Sequence, residues 1–216
     1  MKVLQSVLAI LFLILGIGGL LWSFLPPSQN TIALPLQQVR LKIDGTDNYA
    51  TLMAPYMMYI TLPNSLKFGG DASFSFSLNH NPDTLVLLNQ SDGNLYDHFN
   101  VIVELRPDFE NMYIEPAGTM STPLIEEQDI SMTWKISNQT RQNQEGVFWV
   151  YFTFYPIESD QETQRTAILA KKITIETNSI IGLDTNWTAI LSAAILTASI
   201  FLSWPGLSSI ITKNRK

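Results

Sequence analysis

The chain has 216 residues, no cysteine and a formal net charge of −6 at pH 7. The absence of cysteine excludes disulfides, cysteine-based zinc or iron–sulfur sites and a cysteine nucleophile. All 19 acidic residues lie within residues 27–185, together with only nine of the 13 basic residues, so this segment has a formal charge near −10. Nucleic acid attracts basic surfaces, and the sequence therefore indicates no nucleic-acid partner.

Residues 3–25 form an apolar run of 23 residues in which only Gln5, Ser6 and Ser23 are polar. A helix of this length, at about 1.5 Å per residue, spans the roughly 30 Å hydrocarbon core of a bilayer. A cleaved signal peptide is the alternative, but its apolar region is shorter and ends at a small-residue site. The sequence predicts an uncleaved transmembrane helix over residues 1–26, ended by two consecutive prolines.

A second apolar segment, residues 186–212, holds no charged residue and is followed at once by a basic tail, residues 213–216. The length and composition of this segment predict a second transmembrane helix. Positive charge beside a span favours the cytoplasmic side, and Lys2 flanks the first span in the same way. We therefore expect a two-pass protein of the cell membrane, with both termini in the cytoplasm and residues 27–185 outside it.

Between the two spans, short runs of alternating apolar and polar residues recur between clusters of turn residues. Such alternation is typical of half-buried β-strands, and no run has a good helical period. The strand candidates are residues 39–43, 56–62, 73–78, 84–88, 101–106, 112–114, 130–137, 147–154 and 167–177. In strand number and alternation the segment resembles immunoglobulin-like domains, although their Cys…Trp…Cys pattern is absent. The sequence predicts a mainly β fold, with an extracytoplasmic antiparallel β-sandwich (immunoglobulin-like) over residues 27–185 between N- and C-terminal transmembrane helices.

Residues 130–156 are the most apolar part of this domain. The first arm alternates apolar residues with Ser, Thr and Lys. The second arm has a wholly apolar face that includes Phe152, and an aromatic, amphipathic face that includes Trp149 and Tyr151. A strand with two such faces is usually covered on both sides. The pattern predicts a β-hairpin, with residues 138–146 as its solvated connection.

No residue set in the sequence makes an active site. The two histidines, His80 and His98, lie in polar loops. With Asp92 and Asp97, His98 supplies only part of the ligand set that a metal needs, and these residue types are also ordinary in loops. A nucleophile elbow and a phosphate loop outside the spans are absent, and the adjacent acids read as a solvated face. We therefore expect neither catalysis nor a cofactor or metal.

Three glycosylation triplets begin at Asn89, Asn138 and Asn186. The triplet is short and common, and it matters only in a host that glycosylates. It therefore marks candidate surface positions and no more.

The aromatic face of the second arm is the main candidate for a protein interface, because Tyr, Trp and Met are enriched in interfaces. We expect Met57 and Tyr59 to lie near Trp149 and Tyr151. The alternative is that another strand or loop covers this face, since a strand this apolar is usually interior.

The two predicted spans carry small residues at spacings that let transmembrane helices approach closely. The candidates for such packing are Gly16, Gly18, Gly19, Ala189, Ala193 and Thr197. We expect these residues to pack the spans against each other or against a partner. The alternative is that Gly and Ala are simply common in membrane helices.

We expect polar tethers, residues 29–38 and 178–186, to hold the domain close to the bilayer, where it suits lateral contact. The sequence thus favours a non-catalytic accessory or scaffold subunit. Its expected partners are the bilayer and a neighbouring membrane or surface protein, or a second copy of the chain. The alternatives are a ligand-sensing or solute-binding ectodomain, which needs a deep pocket under residues 89–98, and thirdly a membrane-anchored enzyme of unknown reaction.

Overall fold

The computed structural model describes residues 2–36, 39–42, 49–51, 56–80, 93–158 and 162–213. The helices are α1 (Lys2–Phe24) and α2 (Thr185–Lys213), with a short 3-10 helix at Leu95–Asp97. The strands are β1 (Gln29–Pro35), β2 (Arg40–Lys42), β3 (Tyr49–Thr51), β4 (Tyr56–Pro63), β5 (Ser65–Lys67), β6 (Asp71–His80), β7 (Gly93–Asn94), β8 (Phe99–Phe109), β9 (Met112–Glu115), β10 (Met120–Leu124), β11 (Ile130–Asn138), β12 (Gln144–Pro156) and β13 (Gln164–Asn178). The prediction of a mainly β chain with an apolar helix at each end is confirmed.

The longer strands form two five-stranded sheets. Sheet 1 has the order β1-β4-β6-β11-β9, and sheet 2 has the order β10-β8-β12-β13-β5. Neighbouring strands in both sheets are antiparallel, except that β5 runs parallel to β13. Three short strands, β2, β3 and β7, form a small sheet of their own within the described residues.

The two five-stranded sheets pack face to face around one apolar core. Along β6, β8 and β11, buried residues alternate with more exposed ones, as expected for strands with one face toward a core. The ring centroid of Phe148 on β12 lies 5.0 Å from that of Phe74 on β6 and 5.9 Å from that of Trp134 on β11. These aromatic contacts join sheet 2 to sheet 1, and Trp134 and Phe152 are fully buried.

The predicted hairpin over residues 130–156 is wrong, because its two arms belong to different sheets. β11 pairs with β6 and β9 in sheet 1, whereas β12 pairs with β8 and β13 in sheet 2. Residues 139–143 therefore cross from one sheet to the other. Each arm carries an apolar face, and placing those faces opposite each other across the core removes both from water.

The residues predicted as the first tether are largely part of sheet 1. β1 pairs with β4 over its whole length, only a few residues after α1 ends. At the C-terminal end of the domain, the short connection from β13 to α2 contains an isolated bridge between Ile180 and Leu183. The connections between the β domain and the two helices are therefore short on both sides. Residues 37 and 38, and the predicted strand over residues 84–88, lie outside the described residues.

Both helices are long and apolar enough to span a membrane, over Leu4–Phe24 and Thr185–Ser203. The mean hydropathy is 2.5 for the first stretch and 1.5 for the second. Large apolar side chains of α1 such as Ile14, which is 62% exposed, point away from the protein. Exposure of this kind is unfavourable in water and favourable in lipid, which is consistent with a membrane environment.

Candidate functional site

The outer face of sheet 2 carries a cluster that we call the aromatic–arginine surface, composed of Trp149, Tyr151, Thr153, Glu104 and Arg165. The first three alternate on β12 with residues that face the core. The strand register places Tyr151 opposite Glu104 of β8 and Thr153 opposite Arg165 of β13. Three adjacent strands therefore bring together side chains that lie up to 61 residues apart in the sequence.

Within this surface, Tyr151 lies between Trp149 and Arg165. The two aromatic rings are nearly parallel, at 13°, with their centroids 5.8 Å apart. The central guanidinium carbon of Arg165 lies 4.0 Å from the Tyr151 ring centroid, which is a cation–π contact. Because Arg165 pairs with Thr153, beyond Tyr151 along the strand, it reaches the ring from the side away from Trp149. Both aromatic side chains are only half-buried.

Glu104 holds Arg165 in this position. Arg165 donates from Nε and Nη2 to Glu104 Oε2, at 3.0 and 2.7 Å, and Thr153 Oγ1 donates to Glu104 Oε1 at 2.6 Å. Burial raises the pKa of Glu104, but the hydrogen bonds from Thr153 and Arg165 outweigh this effect, and the net shift is downward. Glu104 is therefore ionised at neutral pH, and it fixes the guanidinium beside Tyr151.

Met57 and Tyr59 do not share a surface with Trp149 and Tyr151. They lie on β4 in sheet 1, where they alternate with buried residues and are half-buried themselves. The outer faces of two sheets that pack face to face point in opposite directions. Contrary to the expectation from the sequence, Met57 and Tyr59 are therefore not near Trp149 and Tyr151. Alternation in the sequence predicts which side chains share a face of a strand, but it does not predict to which sheet the strand belongs.

The two helices pack along a line of small side chains. Among the helix side chains that the structure describes, the buried ones are Ala9, Gly16 and Ser23 on α1, and Thr188, Ser192 and Ser199 on α2. A Cβ atom at Gly16 would lie only 3.0 Å from the Ser192 carbonyl oxygen and 3.0 Å from Leu196 Cβ. Such a close approach between helix backbones requires glycine at this position.

The contact between α1 and α2 involves some of the predicted packing residues and leaves others out. Gly16 and Gly19 lie against α2, whereas a Cβ atom at Gly18 would meet nothing within 4 Å. On α2, Ala189 is half-buried, and Ala193 and Thr197 are exposed. The buried line on α2 starts one residue earlier than predicted and consists of Thr188, Ser192 and Ser199, none of which was among the predicted packing residues.

The turn at residues 67–70, which we call the junction turn, touches the end of α1 that faces the domain. Lys67 Nζ donates to the backbone carbonyl oxygens of Trp22, of Ser23 at 3.2 Å and of Leu25 at 2.5 Å. The same ammonium lies 5.0 Å from the centroid of the Trp22 ring. Carbonyls in the last turn of a helix have no partner within the helix, so Lys67 caps α1 from the β domain.

The junction turn also touches the start of α2. The Thr185 N–H and Oγ1 both donate to the Phe68 carbonyl oxygen, at 2.9 and 3.0 Å. Asp184 Oδ1 accepts from the Trp187 N–H at 2.7 Å and so caps the first turn of α2. Gly69 has a φ of +70°, and a Cβ atom there would lie 2.8 Å from Asp184 Cβ. Glycine thus allows both the turn conformation and the close approach.

Asn138, the start of a predicted glycosylation triplet, is fully buried. Its Nδ2 donates to Thr177 Oγ1 at 2.6 Å, and its Oδ1 accepts from the Thr140 N–H at 3.0 Å. The amide therefore orders the crossing between the two sheets and is unsuited to glycosylation in the folded chain. Asn186 is exposed, and Asn89 lies outside the described residues.

The residues weighed for metal binding do not gather into a site within the described part of the chain. No group of three or more His, Asp or Glu side chains there stands close enough to hold a metal ion. The His80 backbone N–H donates to Asp129 Oδ1 at 2.7 Å, which is a structural contact. Residues 89–92, which include Asp92 and begin the loop proposed to cover a ligand pocket, fall outside the described residues.

No protein-family model matches the chain, and no curated protein matches its sequence.

Proposed function

We propose that this chain is a two-span membrane protein whose acidic extracytoplasmic domain binds a neighbouring membrane protein, as a non-catalytic accessory or scaffold subunit. The aromatic–arginine surface is the observation that carries the proposal. Trp, Tyr and Arg are the residues that most often dominate binding energy at protein interfaces. Here all three types meet at one place on a solvent-facing sheet.

The side chains of this surface are already held in place before a partner binds, and this favours binding. A side chain that is mobile before binding loses roughly 0.5–1.5 kcal/mol of rotamer freedom when an interface fixes it. Arg165 is held by two hydrogen bonds to Glu104, and its guanidinium lies against Tyr151. Arg165 therefore loses little further rotamer freedom when a partner binds, and the entropic cost of binding is lower.

The position of the surface along β12 favours a protein partner over lipid. β12 begins near the helix ends, because the carbonyl of Gln142 accepts from Thr177, close to the end of β13. At about 3.3 Å per residue, Trp149 and Tyr151 lie up to about 16 and 23 Å from Gln144. The headgroup layer extends only about 5–8 Å beyond the hydrocarbon core. The length of β12 therefore leaves room for both rings beyond the headgroup layer, where a neighbouring ectodomain would contact them.

The strand order supports an immunoglobulin-like sandwich as the finer description of the domain. β4, β6, β11 and β9 follow the order of strands A, B, E and D of that fold, and β8, β12 and β13 follow the order of C, F and G. An experimental structure with a different strand order in either sheet would rule this assignment out.

The distribution of charge supports the proposed topology. Basic residues flank both spans on the side away from the domain, and the domain itself is acidic. Protease added to intact cells or right-side-out vesicles is expected to digest the β domain and to spare a tag beyond residue 216. Inverted vesicles serve as the control and should give the reverse pattern. Protection of the domain in right-side-out vesicles would contradict this orientation.

The binding proposal is tested with the double variant Trp149→Ala and Tyr151→Ala in the full-length protein. Crosslinking in native membranes first identifies the partner, including a differently tagged copy of the chain. The double variant is expected to keep the thermal unfolding transition of a folded domain and to lose the partner from the purified complex. Tyr113→Ala is the matched control, because Tyr113 is 58% exposed on β9 of the other sheet. A folded double variant that still retains the partner contradicts the proposal.

A further inference from the structure

Lys67 is the point where the β domain and α1 are joined by side-chain chemistry as well as by the chain itself. The covalent path from α1 to β1 runs through residues 25–28 only. Lys67, which is 42 to 45 residues further along the chain, reaches back to three carbonyl oxygens at the end of α1. A positive charge at this end of a helix also interacts favourably with the helix dipole.

The surroundings of Lys67 make this contact more than a surface ion pair. Its acceptors are backbone carbonyls, which cannot rotate away as a carboxylate side chain does. The ring of Trp22 lies beside the ammonium, and desolvation lowers the pKa of Lys67. By contrast, Lys172 is 70% exposed and pairs with Glu145 at 2.8 Å on the open face of sheet 2. Exposed pairs of that kind contribute little to rigidity.

The junction turn extends the contact to α2, through the bonds from Thr185 to the Phe68 carbonyl. One turn of the β domain thus holds the ends of both helices, and the helices also pack against each other at Gly16. From this arrangement we infer that Lys67 acts as a clamp that locks the β domain in one orientation relative to α1. The domain and the helix pair then move as a single unit, and the outer faces of the sheets have a fixed direction over the membrane.

The test measures the distance between the domain and α1 in the full-length protein in lipid nanodiscs. The chain has no cysteine, so Ile14→Cys and Tyr155→Cys introduce the only two sites for spin labels. Ile14 is exposed on α1, and Tyr155 is exposed near the end of β12, which gives a long lever arm. Double electron–electron resonance is expected to give one narrow distance peak for this labelled parent.

Lys67→Met keeps the length of the side chain and removes the ammonium, and it is expected to abolish the narrow peak in favour of a broad distribution. Lys172→Met, the matched control, is expected to keep the narrow peak. A Lys67→Met protein that is folded and keeps the parent peak overturns the inference. If near-ultraviolet circular dichroism shows that this variant has unfolded, Lys67→Gln, a polar replacement that also lacks the ammonium, decides instead. It is expected to broaden the peak, and an unchanged peak would equally overturn the clamp. Partner binding does not enter the measurement, so the result is independent of the proposed function.

Discussion

Trp134→Ala and Phe152→Ala are each expected to destabilise the β domain by about 3 to 5 kcal/mol, the usual cost of truncating a large buried aromatic side chain. Trp134 lies at the centre of the contact between the sheets, with ring centroids 5.3 Å from Phe74 and 5.9 Å from Phe148. Both replaced residues have no exposed surface. Removing either leaves a cavity that packed neighbours on two sheets fill only in part. The measurement is denaturant-induced unfolding of the purified protein.

Trp149→Ala is the internal control for this prediction. It removes an aromatic side chain from the same strand as Phe152, but from the outer face, where the ring is only half-buried. A much smaller loss of stability is expected, because the side chain gives up less buried area. Equal unfolding midpoints for Trp134→Ala and the parent would mean that Trp134 is not a core residue.

Gly16→Leu is expected to separate α1 from α2, whereas Gly18→Leu is expected to leave them paired. The added side chain at Gly16 meets the backbone of α2 at Ser192 and Leu196, and a backbone cannot rotate aside. The same side chain at Gly18 enters open space. Close packing of small residues is a main source of helix association in lipid, so its loss has a large effect.

The helix pairing is measured by disulfide crosslinking of introduced cysteines. Antiparallel helices that meet at Gly16 and Ser192 bring Ser23 toward Thr188, and cysteines at these two buried positions should crosslink in the parent. Gly16→Leu is expected to remove most of the crosslinked product, and Gly18→Leu to retain it. Equal yields in the two variants would show that the contact at Gly16 does not hold the helices together.

The two apolar helices and the inward and outward faces of the main strands follow from the sequence, whereas β1 was predicted as a polar tether and β10 was not predicted. The two uncharged apolar runs predict helices with a large apolar surface. Both runs are helices, and both are long enough to span a membrane. Period-two alternation places Trp134 and Phe152 on buried faces, and both are buried. The outward direction of Trp149 and Tyr151 follows from the same alternation. These features are local, because the side-chain direction along a strand depends only on the strand itself.

Which elements meet depends on the packing of the whole chain. Two strands with apolar faces, such as β11 and β12, either pair edge to edge in one sheet or pack against each other across a core. The alternation of apolar and polar residues is the same in both arrangements, so it does not distinguish them. The neighbours of Tyr151, namely Trp149 and Arg165 in sheet 2 rather than Tyr59 in sheet 1, depend on that choice. In the helices, Gly16 and Gly18 are equivalent in the sequence, and only the line of contact separates them. Lys67 carries no local sign that it caps a helix more than 40 residues away. In each case the physical reason is the same: strand edges and helix surfaces accept many partners, and the packing of the whole chain selects one.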